Sequence, residues 1–260
     1  MVGRGRWLPL CAVAGVLFLS ACGKASSGQS SGAQASKPPA SSSTAAKAGA
    51  SSCVAGAAGT NELVTAPEEP ASGIATPTSS CWSKIASTPL FQTVIATAPT
   101  GASASFKVAW SGTDVYVLAD VHQPAMYCNT SGSWYDCNAI EVYMGPQGGG
   151  TAYGPEDRQL GVRADGGVFE TGTNAKGITN CKAASVVTQG KGYLAELEVP
   201  LSDVGVTPSS GTVMGFSIAA DMPLSSGVVH QSNNTVAQMM WAGTVNNWQS
   251  PAKWGGILLQ

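Results

Sequence analysis

Charge is scarce in this chain. Asp, Glu, Lys and Arg make up 11% of its 260 residues, and the formal net charge is -2. No basic stripe exists to neutralise a run of phosphates, so no nucleic-acid partner is expected. None of the seven cysteines falls in a CxxC or Cys/His spacing of the zinc-binding kind. No nucleophile elbow, metal-protease helix or phosphate-binding loop occurs, which points to a binder rather than an enzyme. No stretch sustains a long 3.6-residue period, and no internal repeat or second hydrophobic span is detectable. Aromatic residues are almost absent from the first sixty positions. Six of the seven tryptophans lie from Trp82 onward, as do all six tyrosines. A core therefore has to come from roughly residues 60–260, a length that suits one β-sandwich or barrel.

What is present at the N-terminus speaks for export. Arg4 and Arg6 precede an apolar run from Trp7 to Leu19, too short for an ordinary membrane span. The run ends in Leu19-Ser20-Ala21-Cys22, which resembles the lipobox of bacterial lipoprotein precursors. That resemblance implies a signal peptide over 1–21, a lipid on Cys22, and a domain held on the extracytoplasmic side of a membrane. Several acyl chains on one residue anchor firmly where a single chain is marginal. Residues 22–59 are rich in Ser, Ala and Gly. They have little apolar surface to bury and are expected to form a disordered tether. A coil of this length has an r.m.s. reach of roughly 30–36 Å.

From Asn61 onward the pattern is that of strands. Phe106–Trp110 and Asp114–Val121, separated by Ser111-Gly112-Thr113, read as a hairpin. Further strands are expected at 139–144, 158–164, 183–188, 193–199, 212–220, 236–241 and 256–259, punctuated by Gly, Pro and Asn. Single helical turns are expected at 82–86 and 201–204. Many short strands without interleaved helices predict an all-β fold of two packed antiparallel sheets. An oxidising compartment favours disulfides. Cys128 and Cys137 bracket a short loop and are the first expected pair. Cys81 and Cys181 join each other, or one of them joins Cys53; spacing alone does not decide.

Five landmarks now occur in order: "CWSKIAS", "FKVAWSGTDVYVLADV", "WYDCNAIEVYMG", "GYLAELEVPLSDVGVTPSSGTVMGFSIAADM" and "WAGTVNNWQSPAKWGGILL". Together they make the chain from about Asn61 to Gln260 resemble a family 9 carbohydrate-binding module, within the wider DOMON-like group. The resemblance implies a β-sandwich and a carbohydrate ligand clamped between two facing tryptophans, which match Trp134 and Trp248. It puts the family's acidic residue at Glu141 and its asparagine at Asn246 or Asn247. The family's arginine falls near Gly161, with Arg163 two residues away. The family's "V-x-D" after the hairpin reads Val121-His122-Gln123 here. A structural calcium of the family type would thus lose a carboxylate ligand at that point.

The chemistry of such a site is simple. A pyranose has apolar C–H faces and polar edges. An indole face is flat, polarisable and negative, so C–H groups sit well on it. By analogy with bases on aromatic platforms, each ring contributes ~1–3 kcal/mol. A carboxylate and asparagine amides satisfy the hydroxyls. A site this small is expected to bind in the micromolar range, about -8 kcal/mol. Trp82, Trp110 and Trp254 are expected in packing roles, while Trp241 fits either role. Glu141, flanked by Ile140, Val142 and Tyr143, belongs either in a cleft or on the solvent face. Asp120 and Asp221 are expected at strand ends and turns. Two alternatives stand beside the sugar reading. One is a haem-binding DOMON-like domain with axial ligands among His122, Met126, Met222 and His230. The other is a structural surface lipoprotein without a ligand.

Overall fold

The structure, a computed structural model, describes residues 18–21, 52–60, 62–171, 181–227 and 235–260. Its strands are β1 (Phe18–Ala21), β2 (Leu63–Ala66), β3 (Thr88–Leu90), β4 (Gln92–Ile95), β5 (Ser103–Ser111), β6 (Asp114–His122) and β7 (Ala139–Gly145). They continue with β8 (Arg158–Arg163), β9 (Val168–Thr171), β10 (Lys182–Thr188), β11 (Gly192–Pro200), β12 (Val213–Pro223), β13 (Val236–Met240) and β14 (Gly255–Leu259). Among the described residues helix is confined to one turn, Ala71–Ile74, and four short 3₁₀ turns. The all-β expectation is met.

Two sheets face each other. The smaller runs β1-β10-β11-β6-β5-β3. The larger runs β2-β14-β12-β7-β8-β9, with β13 pairing the second half of β12 and β4 pairing β13. Every pairing is antiparallel except that of β2 with β14. Alternation decides which side chains meet between the sheets. Ile140, Val142 and Met144 of β7 point inward, as do Phe216, Ile218, Ala220 and Met222 of β12. Phe106 of β5 crosses the gap to Phe216 and Trp241, with ring centroids 5.6 and 5.3 Å apart. Burial of such side chains contributes about 1.5–3 kcal/mol each and drives the sheets together.

The hairpin β5–β6 and the seven other expected strands are present, as are turns at Ser80–Lys84 and Leu201–Val204. Strands β2, β3, β4 and β9 were not expected. They are three or four residues long, too short to show a period, and exist because a neighbouring strand supplies hydrogen bonds. The folded body also begins earlier than composition implies. Cys53 is disulfide-bonded to Cys81. The Val54 amide donates to the Glu69 carboxylate, and Gly56 pairs with Ile85. Residues 52–59 therefore belong to the domain rather than preceding it. Cys128 pairs with Cys137 as expected.

Strand β1 adds antiparallel to β10, Ala21 opposite Lys182. It lies within residues 1–21, the segment expected from the lipobox resemblance to be a signal peptide.

Candidate functional site

The outer face of the larger sheet is unusual in being polar and buried at once. Glu141 and Tyr143 on β7, Gln159 on β8, Ser217 and Asp221 on β12 and Gln238 on β13 share this face by register. All six are buried, Glu141 at 4% exposure and Asp221 at 0%. Glu141 accepts from the Tyr143 hydroxyl and, at 3.3 Å, from Gln159 Nε2. Beside it stands Asp221, which accepts from Gln238 Nε2 at 2.9 Å. Burial, and next to it the negative charge of Asp221, push the Glu141 carboxyl well above the ordinary carboxylate range. Burial disfavours the charged form of Glu141, and the neighbouring negative charge adds to that, so Glu141 is the group that keeps its proton. Of the two readings for Glu141, the solvent face is excluded by its burial. Asp221 sits within a strand rather than at its end, because β12 runs on to Pro223 where β13 supplies a pairing partner.

Trp134 borders this cluster on one side. It sits in a 3₁₀ turn, Trp134–Asp136, whose N-cap Ser133 and Asp136 form a reciprocal capping box. The turn lays the indole on Gly161, the cross-strand partner of Glu141. A Cβ at Gly161 would overlap the six-membered ring of Trp134. At the position where the resemblance places an arginine, this chain has no side chain, and the tryptophan fills the space. Trp134 runs parallel and offset to Phe169, 5.9 Å between centroids at 8°. Arg163 lies over the same Phe169 ring at 5.1 Å and grips Asp165 with two nitrogens. Trp134 exposes only 7% of its surface, and its Nε1 has no hydrogen-bond partner.

The other side is formed by the loop after β13. Asn247 is its buried peg: its amide donates to Ser217 Oγ, to the Ala242 carbonyl and to Met240 Sδ, and its oxygen accepts from the Thr244 amide. Gly243, at φ +103°, makes the turn that this peg requires. The Tyr153 hydroxyl donates to the Asn247 carbonyl at 2.8 Å, and Tyr153 meets Trp254 edge-on. Trp254 in turn packs on Tyr143. Asn246 and Trp248 stand on the surface of this loop, Trp248 with 43% exposure. Of the residues expected to touch a ligand, Trp248, Asn246 and Arg163 have accessible surface. Glu141, Trp134 and Asn247 are largely enclosed. Sequence reasoning missed Tyr143, Tyr153 and Gln159. Their type gave no signal, and only the register puts them beside Glu141.

The calcium position does not fit a cation. Gln123 is buried, accepts from Asn138 Nδ2 at 2.5 Å and donates to the Pro223 carbonyl at 3.1 Å. Both ends of this neutral amide are already used. Among the described residues, a grouping of three metal-ligating side chains occurs at Cys53, Glu69 and Cys81, and its two sulfurs are bonded to each other. The haem candidates are spread out. His122 is an exposed residue of β6, Met222 is in the core, Met126 packs at the core edge, and His230 lies outside the described residues, as does Cys22.

Comparison with known proteins agrees with this architecture. The profile described as "Carbohydrate family 9 binding domain-like" matches residues 74–260. The chain belongs to this family. Endo-1,4-beta-xylanase A of Thermoanaerobacterium saccharolyticum is 29% identical over 162 residues, 61% of this chain and 13% of that protein. Exoglucanase XynX of Acetivibrio thermocellus is 28% identical over 162 residues, 61% of this chain and 14% of its own length. The chain thus spans a small part of these relatives. Two structures of a family 9 module from Caldicellulosiruptor kristjanssonii share the fold. The complex with cellotriose matches with TM-score 0.60 at 20% identity, over 76% of this chain and 94% of that one. The complex with glucose matches with TM-score 0.61 at 22% identity, over 76% and 96%.

Proposed function

We propose that this family 9 domain is a non-catalytic carbohydrate binder, tethered through a lipid on Cys22 to the outer side of a membrane. The observation that carries the sugar reading is the joining, on one sheet face, of a hydrogen-bonded acid cluster with Trp134 on one flank and the Trp248 loop on the other. Two family 9 structures are complexes with cellotriose and with glucose, which supports a neutral sugar here. In this reading the two indoles have unequal parts. Trp248 is the accessible ring on which a sugar stacks. Trp134 is the fixed inner wall, seated by Gly161. Asn246 and Arg163 serve the sugar's polar edge, and Asn247 positions the Trp248 loop.

Titration of the full chain with glucose, cellobiose, xylobiose and maltose, followed by tryptophan fluorescence, tests this. At least one sugar is expected to change the spectrum, with affinity lost in Trp248→Ala. Silence across the panel overturns the proposal. For the anchor, Cys22→Ser is expected to move the protein from the membrane to the soluble fraction. Unchanged membrane association refutes lipidation.

A further inference from the structure

Beyond the acid cluster, on the far side of the Trp254 ring, the outer face of the larger sheet carries an open groove of about 760 Å³. That lies within the ~300–1,000 Å³ typical of small-molecule sites. Its floor crosses β2, β14 and β12 where the sheet lacks side chains. Gly256 of β14 stands between Leu63 of β2 and Gly215 of β12 in the register. Its apolar lining is Leu63, Val213 and Trp254. Leu63 and Val213 are exposed at 38% and 56%, high for apolar strand residues. Its polar lining includes Glu62, Gln147 and Lys253, all exposed. No hydrogen bond or ion pair among the described residues engages those three side chains. Trp254 is 8% exposed, and its Nε1 donor is buried without a partner. One wall is Ala242–Thr244, the first part of the loop that bears Trp248.

We propose that this groove is an extension site, which takes further units of a neutral oligosaccharide whose end is held at Trp248. The inference rests on the carbohydrate reading above. Three observations favour a glycan chain as occupant. The groove is continuous with the Trp248 loop. It mixes flat apolar surface with unengaged amide and charged groups, which suits C–H faces and hydroxyl edges alike. Its charges, Glu62 and Lys253, are one of each sign, so no net field selects an ionic ligand. The consequence is that affinity depends on chain length, and that the protein recognises a run of sugars rather than one unit.

Calorimetric titration of the full chain with cello- and xylo-oligosaccharides of one to six units tests this. Between the disaccharide and the hexasaccharide, affinity is expected to rise about tenfold or more, the gain of one further well-seated unit. In Val213→Arg, which fills the groove from an exposed position, that gain is expected to vanish while glucose binding stays as in the parent. Gln147→Ala is expected to lose part of the gain. If the hexasaccharide binds no tighter than the disaccharide, or the gain survives in Val213→Arg, the extension site is refuted and the carbohydrate reading stands. If no oligomer binds at all, both fall.

Discussion

Glu141 and Asp221 stand beside each other on adjacent strands, β7 and β12, and both residues are buried. Glu141 carries the raised pKa, so the folded chain holds a proton there that the unfolded chain releases near its ordinary value of 4.5. Stability from this proton is therefore complete below about pH 4.5 and is lost as pH rises towards the folded value. Thermal melts from pH 4 to 9 are expected to show that decline. Glu141→Gln keeps a donor for Asp221 and an acceptor for Tyr143, so its decline is expected to be flatter. Glu141→Ala leaves buried partners unmet and is expected to cost about 3 kcal/mol at any pH. Identical pH profiles for the parent and Glu141→Gln would remove the Glu141 proton from the account.

A second buried acid sits on the opposite sheet. Glu196 of β11 is 3% exposed and accepts from Trp82 Nε1 at 3.0 Å. Burial pushes its pKa up to about 8, only partly offset by that hydrogen bond. Its contribution is thus lost between about pH 4.5 and 8. Glu196→Gln is expected to gain stability relative to the parent at pH 8 and to match it near pH 4. Because Glu196 lies far in the fold from the Trp248 loop, sugar affinity should not change with it.

Gly161 gives a packing test. Gly161→Val puts branched carbons into the space of the Trp134 ring. Overpacking of this kind costs about 1–3 kcal/mol. Urea unfolding should report that loss, and the Trp134 emission should shift to the red as the ring is pushed outward. A variant with parent stability and spectrum would mean the ring has another place to lie.

The Cys53–Cys81 bridge closes a separation of 28 residues and ties the end of the tether to the domain. Replacing both cysteines by serine is expected to cost about 3–4 kcal/mol, chiefly through the unfolded chain. Limited proteolysis should then cut between residues 52 and 59, a segment that the parent protects.

The long strands were legible because their alternation reports burial directly: Phe106, Val108 and Trp110 alternate with polar neighbours, and all three are buried. Edge strands such as Thr88–Leu90 were not, since three residues carry no period. Trp134 and Trp248 were both legible as loop tryptophans, yet their exposures, 7% and 43%, could not be read from composition. The difference comes from Gly161, 27 positions away from Trp134 in the chain and under its ring only after β7 and β8 have paired.

By itself the sequence determined the all-β class, the main strands and the Cys128–Cys137 pair. Each of these depends on local pattern, on periodicity, turn residues or short loop closure. The tertiary structure alone decided that Glu141 and Asp221 lie buried side by side, that Tyr143 and Gln159 contact Glu141, and that an open groove lies beyond Trp254. Those features depend on strand register between segments some 80 residues apart, and register is fixed by the packing of the whole inner face, which no local window contains.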